Sequence, residues 1–166
     1  MSNKAIWNAK PAKRFFREAE KIKFPSKELM KELLAMHSGR KVRSLKGGKV
    51  SPAKLREAVV LEQGCRSRCI EIYMEASKVL SLLTDLQSVV SQQLMMESAD
   101  LIPADTKTER KDFLRRGFRK KAPIVLELEN IKETATHIME DIDKAAWALK
   151  LIVSTFEIST RPEISL

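Results

Sequence analysis

Glycine is scarce in this chain, five in 166 residues, and tyrosine occurs once. So little of either argues against a β-rich or α/β protein. No apolar run approaches the ~20 residues that a membrane span needs. Met1 to Lys10 lacks the apolar core of a signal peptide, and it is too short and serine-poor for a transit peptide. The expectation is an intracellular, cytoplasmic protein. Only two cysteines and two histidines are present. Cys65 and Cys69 would share one helix face a turn apart, a geometry that does not normally close a disulfide. As zinc ligands they would need two more partners, and only His37 and His137 are available. They read as two small, semi-buried thiols. Gly47-Gly48-Lys49 lacks the rest of a phosphate loop, since Arg43 and Val50 stand where a glycine and a Ser or Thr are required. No cofactor, metal or catalytic residue is expected, and the chain reads as non-enzymatic.

What is abundant is Leu, Ala, Lys, Glu and Met, which favours helices. From Pro123 to Ser159 the apolar positions alternate by threes and fours: Leu128, Ile131, Ala135, Ile138, Ile142, Ala145, Leu149, Ile152, Phe156. That is a helix with one seam facing another helix. Pro123 suits its first turn, where the missing N–H has no partner to lose. From Met139 onward a third column (Met139, Ala146, Val153) turns apolar too. A second long helix starts at Ser51-Pro52, a cap followed by a first turn, and runs to about Glu97, with Gly64 a possible weak point. Its stripe (Cys69, Ile72, Tyr73, Ala76, Val79, Leu80, Leu83, Leu86, Val90, Leu94, widened by Leu82 and Val89) is broad enough for a bundle. Thr106 and Glu109 have capping-box spacing, so a shorter helix runs from there toward Lys121.

Shorter helices precede these. Pro11 opens one carrying Phe15, Phe16, Ala19 and Ile22 on one side, and Ser26 caps another with Leu29, Leu33 and Met36 inward. Ser38 to Ser51, with three glycines, five cations and no acid, is expected to be a mobile basic loop. The fold expected is therefore all-α: a long antiparallel, coiled-coil-like hairpin within a helix bundle, with short basic N-terminal helices. The division is a basic arm over 1–51 and a hairpin domain over 52–166.

Charge is segregated along this plan. Residues 1–56 hold 16 Lys/Arg against 4 acids, 57–106 hold 3 against 8, 107–121 hold 8 against 2, and 122–166 hold 4 against 8. Such partition speaks to partners. Forked arginines and point-charge lysines are the donors phosphate contacts use. The candidate nucleic-acid contacts are Lys13, Arg14 and Arg17; Arg40, Lys41, Arg43, Lys46 and Lys49; and Arg110, Lys111, Arg115, Arg116, Arg119, Lys120 and Lys121. No helix-turn-helix, zinc-finger or basic-zipper pattern supports base readout, so DNA and RNA stay open. The acidic group Glu140, Asp141 and Asp143 beside His137 lies mostly off the seam and reads as a solvated face, salt-bridged to a neighbour's basic turn. Trp147 sits in an outer column, beneath the N-terminal arm or at a subunit contact.

Two antiparallel helices leave apolar strips, which predicts a homo-oligomer through Leu83, Val90, Met139, Ile142, Ala146, Leu149, Ile152, Val153 and Phe156. The short N-terminal helices are the alternative cover. A helical hairpin with basic ends resembles, in layout, the small DNA-packaging or recombination-mediator proteins of tailed phages, which form rings. The second functional expectation is an assembly protein, a scaffold, adaptor or accessory subunit, docking its basic segments on an acidic protein.

Overall fold

The structure, a computed structural model, describes residues 4–40 and 51–159, and the side chains of residues 5–40, 51 and 53–152. It is all-α: α1 (Lys4–Trp7), α2 (Lys10–Lys21), α3 (Ser26–Ser38), α4 (Pro52–Glu97), a 3₁₀ turn (Ala99–Leu101), α5 (Lys107–Lys121) and α6 (Pro123–Ser159). No strand occurs among the described residues. The loop expected to be mobile lies mostly outside them, and with it Lys41, Arg43, Lys46 and Lys49.

α4 is the axis. Its 46 residues run without a break for about 69 Å. Ser51 begins it, its hydroxyl accepting from Lys54 N at 3.3 Å. The helix passes through Gly64 uninterrupted, because the packed stretches on either side outweigh the local propensity cost. α5 lies along the C-terminal third of α4, with Ser88 and Arg115 lining one groove. α6 continues antiparallel along the rest: Arg66 meets Asp143 at 2.8 Å, and Lys132 sits over the Tyr73 ring at 5.1 Å.

The third layer consists of α2, packed on α4, and α3, packed mainly on α6. Both two-piece layers break at the same level. Ile22 and Phe24, between α2 and α3, share a small pocket with Ala122 and Ile124, between α5 and α6. The chemistry of the two breaks is the same. Pro25 and Pro123 each bias the preceding residue away from helical geometry, and Ala122 sits at φ −113°, ψ 89°.

One contiguous core runs through all three layers. Leu128, Ile131, Ala135, Ile138, Ile142 and Leu149 of α6 are buried, as are Cys69, Ile72, Ala76, Leu83, Val90 and Leu94 of α4. This corrects the expected subunit interface. Leu83, Val90, Ile142 and Leu149 are spent inside the chain, and Met139 packs on the same core. The short helices supply the cover that a second subunit was expected to provide, with Phe15, Ala19, Leu29 and Leu33 inward. Ala146 and Ile152 are exposed, while the side chains of Val153 and Phe156 lie outside the described residues. Apolar surface stays open at Trp147, Leu151 and Ile152 of α6 and also on α4, where Leu82 is 69% exposed, Val89 53% and Met96 86%.

Candidate nucleic-acid interface

The two basic helices, about a hundred residues apart in sequence, meet at one end of the bundle through their aromatic residues. Phe15 of α2 packs edge-on against Phe118 of α5, centroids 4.6 Å apart. Trp7 stacks on Phe113 at 5.8 Å and meets Phe118 edge-on at 5.3 Å. Phe16 leans on both Trp7 and Phe118. Such offset and edge-on pairs are favourable beyond their burial. Gly117 makes the contact possible, because a Cβ there would collide with the Trp7 ring. The spacing that turns Phe15 and Ala19 inward turns Lys13, Arg14, Arg17 and Lys21 outward. In α5, Leu114 and Phe118 are buried, leaving Lys111, Arg115, Arg116, Arg119, Lys120 and Lys121 exposed. We call this end the head.

Not every cation in the head is equally available. Arg110 Nε donates to the Ala104 carbonyl at 2.9 Å and so holds the turn before α5. Arg116 Nε donates to the Asp112 carbonyl at 3.3 Å. Arg119 Nε lies 2.7 Å from Glu129 Oε2, an ion pair whose angle falls short of a hydrogen bond. Lys121 sits 6.0 Å from the Trp7 ring centroid. In α2, Arg17 and Lys21 both approach Glu18, at 3.8 and 2.9 Å. The Lys21 hydrogen bond holds that carboxyl below its ordinary range. Among the described residues, Lys13, Arg14, Lys111, Arg115 and Lys120 have no ion-pair partner.

α5 also forms one wall of a groove of about 830 Å³. Lys111, Arg115, Arg116 and Arg119 line it on one side, and Thr84, Gln87, Ser88, Ser91 and Gln92 of α4 on the other, with Val125 between and Asp112 and Glu129 as its acids. The Thr84 hydroxyl is spent on the Leu80 carbonyl at 2.8 Å. α4 thus presents a neutral donor wall and α5 a cationic one.

Arg40 does not join this surface. Its side chain is 5% exposed and pairs with Glu62, itself 6% exposed, at 2.9 Å. It also donates to the Asp141 carbonyl at 3.0 Å. The end of α3 is thereby tied to α4 and α6, so the expected phosphate contact at Arg40 is corrected to a buried cross-brace. The sequence pattern could not reveal this, because Glu62 is 22 residues away and ranks there as an ordinary surface acid.

The other expected features fall at the opposite end of the bundle from the head. Asp141 and Asp143 pair with Arg40 and Arg66 of the same chain, and Glu133 and Glu140 flank His137 at 3.8 and 3.9 Å. Burial pushes the Cys69 thiol up to about 11 and raises that of Cys65, which makes both poor nucleophiles. Among the described residues, no three His, Cys, Asp or Glu side chains converge as metal ligands would. Trp147 lies on the surface, 66% exposed. No described helix is long and apolar enough to cross a membrane. Neither a family model, a curated protein nor a solved structure matches this chain.

Proposed function

We propose that the protein is a non-enzymatic, nucleic-acid-binding helical protein that grips phosphates with its basic head. The observation that carries this reading is the union of α2 and α5. Two cationic helices that share no local sequence context are fastened side by side by Trp7, Phe15, Phe16, Phe113 and Phe118. A purely solubilising charge pattern needs no such convergence. Contacts of this type position a nucleic acid without reading its sequence. The test is fluorescence anisotropy with a labelled 20-base-pair DNA duplex. Each cation engaged releases counterions, so the affinity falls as salt rises, with a log–log slope of about −0.9 per contact. Binding that ignores salt, or is absent at low salt, contradicts the reading.

A second reading, an assembly protein, draws on a different observation. Val79, Leu82, Leu86, Val89, Gln93 and Met96 recur by threes and fours along one flank of α4, where Val79 and Leu86 pack partly on the core and Leu82, Val89 and Met96 are exposed. This spacing suits another helix. It is the same read in either direction, so a second copy running antiparallel meets it layer for layer. Sedimentation at tens of micromolar tests it: a dimer that Leu82→Lys with Val89→Lys converts to a folded monomer supports it, and a wild-type monomer refutes it.

A further inference from the structure

We infer that the α4–α5 groove seats the sugar–phosphate backbone of double-helical nucleic acid and gives single strands no comparable hold. The inference rests on the nucleic-acid reading and narrows its ligand to a duplex.

Two observations point the same way. The first is the absence of a stacking platform. Proteins that hold single strands combine cations with aromatic faces on which unpaired bases lie. No aromatic residue lines this groove. The five aromatics of the head are engaged with one another, and Tyr73 lies under Lys132. Trp7 and Phe16 do line a separate pocket beside Lys121, but within the groove a single strand would find no aromatic face for its bases.

The second is the make-up of the walls. Lys111, Arg115 and Arg116 lie within five residues of one helix, so these cations span ~7.5 Å, about two nucleotides of one strand. Opposite it, the Ser88 and Ser91 hydroxyls and the Gln87 and Gln92 amides make no hydrogen bond among the described residues. They are neutral donors of the kind that bind phosphate oxygens. A site made of charge and phosphate donors alone rewards charge density. A duplex carries one charge per ~1.7 Å of axis, a single strand about half that.

With Lys111, Arg115 and Arg116 engaged and Arg119 held by Glu129, the expected groove contribution to the salt slope is about −2.7 for duplex and about −2.1 for single strand. Between 1 M and 0.1 M salt, that difference alone separates the two ligands by about fourfold.

The experiment is a titration of the full chain with a 20-base-pair DNA duplex and with each of its strands, at 0.1 M salt. The expected result is duplex binding at least about fourfold tighter, with the steeper salt slope. Ser88→Asp places a carboxylate on the exposed α4 wall. It should weaken duplex binding about tenfold at 0.1 M salt, since one lost phosphate contact lowers the salt slope by about 1 and 0.1 M lies one decade below 1 M. Gln63→Glu, exposed toward the other end of α4, adds the same charge far from the groove and should leave binding unchanged. Far-UV circular dichroism and melting confirm that both variants fold. Single strands bound as tightly as duplex, or Ser88→Asp behaving like Gln63→Glu, overturn the inference while leaving the nucleic-acid reading standing. Binding of neither ligand overturns both.

Discussion

Removing the carboxylate of Glu62 should destabilise the protein far more than removing a surface acid. Glu62 holds Arg40 through Nε at 2.9 and 3.2 Å, with both side chains almost wholly withdrawn from water. In Glu62→Ala the guanidinium stays buried. It keeps the Asp141 carbonyl at 3.0 Å and gains only partial neutralisation from the Asp141 carboxylate, 3.8 Å away and 42% exposed. Breaking a buried pair by removing one partner costs about 3–5 kcal/mol. The nearby carboxylate places this case at the lower end, about 3 kcal/mol. For a chain of this size that is a loss of roughly 6–12 °C in melting temperature. Replacing both partners, Arg40→Met with Glu62→Leu, removes the two charges together and should return stability to within about 1 kcal/mol of wild type. Urea unfolding followed by circular dichroism measures all three proteins. The double variant should also bind duplex DNA as wild type does, because Arg40 is a brace and not a phosphate contact. A cost below about 1 kcal/mol for Glu62→Ala, the range of exposed pairs, or weaker binding by the folded double variant, would refute this reasoning.

The two helical glycines should respond oppositely to alanine. Gly64 has open space around its missing Cβ, so Gly64→Ala stabilises by about 0.5–1 kcal/mol. Gly117→Ala drives a methyl into Trp7, where an overpacking cost of about 1–3 kcal/mol exceeds that gain; melting curves and a red-shifted tryptophan emission report it. Acid should loosen the bundle. Arg68 holds Glu32 below its ordinary value of 4.5, and Arg66 holds Asp143 below 3.8. The unfolded chain therefore binds more protons in this range. The stability these groups contribute is fully present above their unfolded values and is lost as pH falls through the folded ones. The melting temperature should stay level above about pH 5.5 and fall below about pH 4.5; an unchanged value at pH 3 would contradict this.

Local chemistry made the helices legible. Ser51-Pro52, the Thr106/Glu109 box and Pro123 each start a helix where their hydrogen-bonding and φ requirements place them. The threes and fours of α6 are buried from Leu128 to Ile142 because period fixes a face. Period does not say which neighbour covers that face. A seam on α4 is equally satisfied by a second subunit or by the chain's own α2 and α3, and the sequence expectation named the wrong cover for Leu83 and Val90. The head was legible as two charged segments and not as one site. Its union depends on Trp7 finding the gap at Gly117, across more than a hundred residues of sequence and with no local signature. Arg40 failed for the same reason, since its partners lie on two other helices.

The most direct test of the central claim is the salt slope of duplex binding in three proteins: wild type, a variant with Lys13, Arg14 and Arg17 changed to Gln, and one with Lys111, Arg115 and Arg116 changed to Gln. All six positions are exposed, so both variants should keep the wild-type fold. If α2 and α5 form one phosphate-binding head, each variant weakens binding and lowers the slope, by about 0.9 for every cation that no longer meets a phosphate. Slopes and affinities equal to wild type in both variants would contradict the account.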